Sequence, residues 1–453
     1  MLLKLSLKKI TRILLAFTVI SCATYKPQLK EGEQALKNTA SKKPTHTFFI
    51  AGGIGNNKDA NLDDASLSLL KSTLENAPEE STMLFTGDYI SSKKDNWEND
   101  SLLVELELRL VENFKGETYF IPGINEWKNK NSNKIERVED LLKDKDLKNI
   151  EVEPNNVCPL EYRVINDNLD LLLIDSDWLL NGWNGIKYIN RKCGNLDTPG
   201  RFAEELKGYI SDAQDKNLVI VMHHPIFGNG EYAGKITLKD ALLPIPGVST
   251  ILEGVGIVGA FSSKMLNSRP YGYYRVLMAA MAQNSDRITF VSGHEENLQL
   301  LQAKNTPQII SGSMGSVQAT RRSSEVLTAI GGQLPFEGIY THGAKGFAKL
   351  EYFEDGSSEV TFITPEDDTE AITLPVLSKF PEYDESFTNT FGDQQDITIG
   401  MFDDPEDFKR SGFYKFLWGD RYRDYYAKPV TAPIVDLDTL YGGMEIIKQG
   451  GGQ

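Results

Sequence analysis

The sequence predicts a layered α/β fold, because short apolar runs that end in tight turns alternate with segments that have helical spacing. The clearest run is 218–222, whose apolar and mostly β-branched residues are typical of a strand in a sheet that is covered on both faces. It ends on His223, His224 and Pro225, and the chain must turn there because proline cannot continue a central strand. Open α/β folds usually bind ligands at the carboxyl ends of their strands, so these histidines mark a candidate site.

Four other apolar runs end in the same way, in a turn that contains glycine and short polar residues. These turns are 52–56, 87–88, 122–127 and 293–297. Ligand sites of open α/β sheets form where several strand ends meet, so the five loops can converge on one site.

The segments between and after these runs supply the remaining elements. Apolar residues at helical spacing predict helices over 61–76 and 101–114. Further helices are predicted over 129–148, 201–213 and 271–281, the first of them highly charged and solvated. Paired strands predict hairpins over 161–175 and 346–363, with turns at 166–168 and 355–356.

The five strand-end loops resemble the motifs of the calcineurin-like metallophosphoesterases, most closely the purple-acid-phosphatase-like lipoproteins of the Bacteroidota envelope. That family pattern is GD-x-G, GDN, GNHDW, HHP and GH-x-HNLQ, each after a strand, and the agreement extends from about residue 45 to 364. The resemblance implies a four-layer αββα sandwich. It also implies a centre of two metal ions that hydrolyses phosphoesters.

Carried over residue by residue, the resemblance implies that Asp88 bridges the two ions and that His223 and His294 bind metal two. Metal one keeps only Asp88 and a substituted Glu296, because the carboxylate of the first motif is replaced by Gly53. The neighbours Asn56 and Asp59 can replace that carboxylate only if the loop is rebuilt.

Two further departures affect metal two and the chemistry. Ile124 stands where the family has an asparagine ligand of metal two, and Asn125 stands at the position of the catalytic histidine. Asparagine cannot protonate a leaving group, and loss of a general acid commonly costs about 10²–10⁴ in rate. We therefore assign no catalytic residue and expect at most one divalent ion of zinc, manganese or iron. Its ligands are predicted to be Asp88, His223, His294 and Glu296; the alternative is no metal, with the histidines a buried hydrogen-bonded pair.

The amino terminus has the features of a lipoprotein signal peptide. A basic region, 4–12, precedes an apolar core, 13–20, that is too short to span a bilayer as a lasting helix. The segment that ends in Cys22 resembles a lipobox, so we expect a signal peptide over 1–21 and a lipid on Cys22. The alternative is a plain secretory signal with an incidental cysteine.

The polar, lysine-rich segment 22–44 is predicted to be a flexible tether, followed by the metallophosphoesterase-like domain over 45–365. The acidic run that often follows the cysteine in surface-exported lipoproteins of this group is absent. The expected location is therefore the cell envelope, anchored in outer-membrane lipid through Cys22 and facing the periplasm. The formal net charge of −16 argues against a nucleic-acid partner.

Two cysteines remain, Cys158 and Cys193. In an exported domain an even pair is a candidate disulfide; the alternative is two separate buried thiols.

Beyond residue 365 the composition changes. The acidic segment 366–412 is predicted to be a linker, and 413–453 resembles the segment that leads into an outer-membrane barrel in long members of the family. An envelope or outer-membrane barrel protein is thus a candidate partner.

Two functions are compatible with these observations. The first is a pseudoenzyme, a lipid-anchored scaffold that binds a ligand or partner and has lost most or all phosphoester hydrolysis. The second is an active phosphoesterase with an altered, single-metal centre. The substitutions at Gly53, Ile124 and Asn125 favour the first.

Overall fold

The computed structural model describes residues 23–36, 42–57, 59–91, 96–127, 132–180, 193, 196, 199–230, 269–282, 285–323, 336–365 and 371–381. Two mixed β-sheets form the centre of this structure. The strands of the first sheet are, in spatial order, β1 (Gln28–Leu29), β12 (Glu337–His342), β10 (Leu298–Ala303), β11 (Thr306–Ser311), β9 (Ile288–Ser292), β8 (Asn217–Met222), β7 (Leu169–Ile174) and β6 (Leu160–Asn166). Its inner strands β7, β8, β9 and β11 are parallel to one another, so their carboxyl ends lie at one edge.

The second sheet has the same plan. Its strands are, in spatial order, β15 (Ile372–Leu377), β14 (Ser358–Ile363), β13 (Phe347–Tyr352), β2 (His46–Ala51), β3 (Ser81–Phe85), β4 (Glu117–Phe120) and β5 (Ile150–Val152). Strands β2 to β5 are parallel, and β13 to β15 continue the sheet in antiparallel pairs.

Alternation along the strands divides the core into two parts. Phe48 and Ile50 of β2 belong to the same buried cluster as Val219 and Val221 of β8, so these residues pack the two sheets against each other. The intervening residues, such as Phe49 of β2, belong to a second cluster that includes the apolar faces of the helices. This is the predicted αββα arrangement, in which both faces of each sheet are buried.

Six helices are described: α1 (Ala65–Glu75), α2 (Trp97–Leu110), α3 (Asn133–Asp144), α4 (Ser176–Leu180), α5 (Pro199–Asp212) and α6 (Arg269–Ala282). Helix α1 begins where the Asp64 carboxylate accepts the Ser66 N–H at 3.0 Å, an N-cap that satisfies a free backbone donor. The charged segment 129–148 does form a helix, but α3 is not fully solvated. Its residues Ile135 and Val138 are completely buried, so one face of the helix belongs to the core.

Two ordered segments lie outside the predicted domain 45–365. The tether 22–44 is partly ordered, because Gln28–Leu29 pairs with β12 and the Leu36 N–H donates to Thr373 O at 2.8 Å. The linker 366–412 contains strand β15, which pairs with β14, so the second sheet extends beyond residue 365. Both segments were missed because a short edge strand takes its stability from its partner and needs no strong pattern of its own.

The predicted hairpins are present as β6–β7 and β13–β14. The predicted disulfide is confirmed, with the Cys158 and Cys193 Cα atoms 5.4 Å apart. The signal peptide, Cys22 and the carboxyl-terminal segment 413–453 lie outside the described residues. Within the described residues, no helix has both the length and the hydropathy needed to cross a membrane.

Candidate functional site

The predicted convergence of the five loops is confirmed by the contacts that join them. The Gly53 N–H donates to Gly87 O at 3.0 Å, which links the loop after β2 to the loop after β3. The Asn125 N–H donates to the Asp88 carboxylate at 3.0 Å, which adds the loop after β4. His223, after β8, lies 3.0 Å from His294, after β9, measured between Nε2 of the first and Nδ1 of the second.

Three of the four predicted ligands lie together. Asp88 Oδ1 is 3.6 Å from His223 Nε2, and His223 is hydrogen-bonded in turn to His294. Asp88 and His294 both have a positive φ, 54° and 60°, which is uncommon for residues other than glycine. Such backbone strain is often found at functional sites, so the two loops are held in shapes that serve the position of these side chains.

Glu296, the fourth predicted ligand, is placed elsewhere. Its carboxylate accepts a hydrogen bond from the Ser316 hydroxyl, and Glu296 is only partly buried. Among the described residues, the group of histidines whose geometry could hold a metal ion does not include it.

His224 belongs to the strand end that the sequence marked as a candidate site, but the predicted ligand set left it out. It is completely buried, and its ring lies with those of His223 and His294 so that one ligand atom from each falls within 4.8 Å of the others. Its Nδ1 is 2.8 Å from Ser176 Oγ, whereas its Nε2 has no hydrogen-bond partner among the described residues. The signal was present as the second histidine of the pair that ends β8, but the family pattern gives that position no role.

Helix α6 fixes the turn that carries these histidines. The Tyr274 hydroxyl donates to His224 O at 2.7 Å, and the Tyr271 hydroxyl donates to Pro225 O at 2.6 Å. Both tyrosines are buried, so their role is to hold the backbone of the turn rather than to line an open pocket.

Burial determines the charge of the cluster. Desolvation, followed by repulsion from the neighbouring imidazoles, holds the pKa of His224 and of His294 well below the ordinary value of 6.5. Both rings are therefore neutral at pH 7, and a neutral imidazole is the form that binds a metal ion.

Two amide side chains lie beside Asp88, the carboxylate that was predicted to bridge the two ions. Asn125 Nδ2 donates to Ile90 O and to Asn56 Oδ1, both at 3.0 Å. This fixes the Asn56 amide with its Nδ2 toward Asp88 Oδ2, 3.4 Å away. Asn56 therefore does reach the Asp88 carboxylate, but as a hydrogen-bond donor, whereas Asp59 is exposed.

The backbone at Gly53 does not suit a carboxylate ligand either. Gly53 has a φ of 77°, and a Cβ atom built there would lie 2.6 Å from Gly312 O. The residues at the predicted metal-one position do not fit a second cation. Gly53 excludes a side chain, and Asn56 and Asn125 supply neutral amides.

Glu126 holds the loops in place rather than taking part in a reaction. Its carboxylate accepts the backbone N–H groups of Asp88, Ile90 and Gly123 at 2.7–3.0 Å. Burial, with added repulsion from Asp88, raises the pKa of Glu126 to about 8, while the three N–H donors oppose that rise. Ile124 beside it is 42% exposed, so the position of the family's asparagine ligand carries an apolar surface side chain.

Fold and site together define an α/β domain of two β-sheets with a cluster of three histidines where strands β8 and β9 end. Residues 45–254 match the family model described as calcineurin-like phosphoesterase. No curated protein sequence matches the chain.

Three solved structures illustrate what the chain is similar to. GAP50, described as the anchor in the inner membrane complex of Plasmodium, has 15% identity and a TM-score of 0.45, with 74% of this chain and 90% of that chain covered. A dimetal phosphatase of Danio rerio has 10% identity and a TM-score of 0.42, with 74% and 100% covered. A purple acid phosphatase from yellow lupin seeds has 12% identity and a TM-score of 0.44, with 74% and 54% covered.

Proposed function

We propose that this protein is a member of the calcineurin-like phosphoesterase family that has lost most or all phosphoester hydrolysis and serves as a binding protein of the cell envelope. The observation that carries the proposal is the pair of amides on Asp88. Asn56 donates to one carboxylate oxygen and the Asn125 backbone N–H donates to the other.

A two-metal phosphoesterase uses its cations to hold the phosphate and to generate a hydroxide nucleophile. In this chain the bridging carboxylate is already hydrogen-bonded through both oxygens. Asn125 supplies no proton for a leaving group, and its side-chain amide is committed to Ile90 and Asn56. Each deficit removes a separate part of the reaction, so their effects on rate accumulate.

The alternative is a phosphoesterase with one metal ion. The buried neutral histidines favour it, because they offer nitrogen ligands in one place. The two proposals differ in turnover and not in metal content, since each allows one ion per chain.

Elemental analysis of the purified mature chain, beside an assay with a chromogenic phosphomonoester, tests the proposal. We expect at most one divalent ion per chain and turnover that does not exceed that of the Asp88→Asn variant. One ion per chain with turnover that is abolished in Asp88→Asn supports the single-metal enzyme instead. Two ions with such turnover contradict both.

We further propose that Cys22 carries a lipid that anchors the chain to the outer membrane on its periplasmic side, where an envelope protein is its partner. The signal-like segment before Cys22 and the disulfide support export. Labelled fatty acid should enter the wild type and not Cys22→Ala, which should also leave the membrane fraction. Equal labelling of the two chains would rule out this anchor.

A further inference from the structure

His224 combines features that a purely structural histidine does not need. It is fully buried, its Nε2 is unpartnered among the described residues, and it lies beside two other imidazoles. Buried polar atoms without a partner are rare in native proteins and call for an explanation. We infer that His223, His224 and His294 form a nitrogen-only site for a single zinc-type ion, with His224 as a ligand in place of the family's oxygen donors. This inference rests on the proposed function, because it concerns the one ion that function allows.

The neighbours of each ring indicate which nitrogen is free to bind. Ser176 Oγ lies 2.8 Å from His224 Nδ1, and Asp177 Oδ2 lies 3.9 Å from the same atom. The hydroxyl can accept as well as donate, and the carboxylate beside it favours a proton on Nδ1, which leaves the lone pair on Nε2. Hydrogen bonds of this kind commonly orient the histidine ligands of metal ions.

His223 is oriented in the same way. Its Nδ1 lies 2.8 Å from Thr86 O, a carbonyl that can only accept, so Nδ1 carries the proton. Its Nε2 is therefore an acceptor and takes the hydrogen bond from His294 Nδ1. For His294 to bind an ion through Nδ1, its ring must be in the other neutral tautomer, with the proton on Nε2 instead of Nδ1, so ion binding would replace the hydrogen bond to His223.

Asp88 is the group that this assignment leaves out. Both of its oxygens already accept hydrogen bonds from Asn56 and Asn125, and it is not part of the three-histidine group. Three imidazoles favour zinc and its neighbours in the transition series, whereas magnesium and manganese favour carboxylate and water oxygens. The substitutions thus change the kind of ion that the site prefers, in addition to removing one ion.

The test uses the full chain, stripped with a chelator and then given Zn²⁺ or Co²⁺ alone. Zinc stoichiometry and affinity are measured by competition with a chromophoric chelator, and Co²⁺ reports coordination through its visible absorption. The variants are His224→Gln and Asp88→Asn, with His46→Gln as a control. His46 is also buried, but it contacts Thr82 on the second sheet.

We expect one zinc ion in the wild type, in Asp88→Asn and in His46→Gln. His224→Gln should lose more affinity than the roughly 10–100-fold that removal of an outer partner costs. Ser176→Ala, which keeps the ligand but removes its orienting partner, should lose about 10–100-fold and retain the Co²⁺ band. It serves as the second measurement if His224→Gln does not fold.

Two results would overturn the inference. Full affinity in His224→Gln or Ser176→Ala, with loss in Asp88→Asn, would show that the family's ligand set holds the ion. No zinc bound by the wild type would show that the histidines are a hydrogen-bonded cluster. Neither result contradicts the proposed loss of hydrolysis, which fails if phosphomonoesters are turned over and that turnover is abolished in Asp88→Asn, whether one ion binds or two.

Discussion

Replacing Gly53 with aspartate returns the family's missing carboxylate to its position in sequence, and we expect it to restore neither the second ion nor hydrolysis. A residue with a Cβ in the left-handed region costs roughly 1–2 kcal/mol. The new Cβ would also lie 2.6 Å from Gly312 O, a backbone atom that moves only with its loop. Overpacking of this kind typically costs about 1–3 kcal/mol, so the total loss of unfolding free energy is about 2–5 kcal/mol.

Gly32 provides the matched control. It has a similar φ of 87°, but a Cβ there has no atom within 4 Å. Gly32→Asp should therefore lose only the unfolding free energy that the left-handed backbone conformation costs, roughly 1–2 kcal/mol. The difference between the unfolding free energies of the two variants, measured in urea, gives the cost of the contact with Gly312. Elemental analysis counts the metal ions bound to each variant. Equal stability of the two variants, together with a second ion in Gly53→Asp, would refute the view that this loop excludes a metal ligand.

Three further changes test other parts of the structure. Asn125→His should remain without phosphatase activity. Its unfolding free energy should fall by about 1–3 kcal/mol, because the amide hydrogen bonds to the neighbouring loops are lost. A gain of turnover in a phosphomonoester assay would contradict this prediction. Changing Cys158 and Cys193 together to serine opens a link between residues 35 apart in sequence and should lower the unfolding free energy by about 3–4 kcal/mol in the chain-entropy model. An unchanged urea midpoint would speak against a bond that persists in the unfolded chain. Burial raises the pKa of Asp175 from 3.8 to about 7. The folded state then holds this proton more tightly than the unfolded state does. As the pH rises from about 4 to 7, the unfolding free energy of the wild type should therefore fall by up to about 4 kcal/mol relative to that of Asp175→Asn. Parallel stability profiles of the two chains over that window would show that the Asp175 carboxyl titrates normally.

The sequence alone predicts those parts of the structure that a local pattern of residues determines. The strand before His223 is buried along its whole length, as its unbroken apolar run indicates. Asp88 and His294 could be placed because each follows a strand in a motif of fixed order. His224 could not, because its surroundings come from Ser176, 48 residues earlier in the chain, and from His294 on another strand.

The role of Asn56 depended on distant contacts in the same way. The sequence shows a polar residue in a glycine turn but not which of its amide atoms faces Asp88. That orientation follows from Asn125, 69 residues away, whose own amide is fixed by Ile90 O. Chains of hydrogen bonds between loops are set by the assembled fold, so they cannot be deduced from the spacing within any one motif.

The ordered amino-terminal segment has a practical consequence. Residues 24–36 bond to strands in both sheets, through the pairing of Gln28–Leu29 with β12 and through the Leu36 N–H at Thr373. A version of the protein that starts at residue 45, where the family pattern begins, would leave unpaired backbone groups along β12. Exposed strand edges recruit other chains, so such a truncation should aggregate. A version that starts just before Thr24 keeps these bonds and is the better choice for purification.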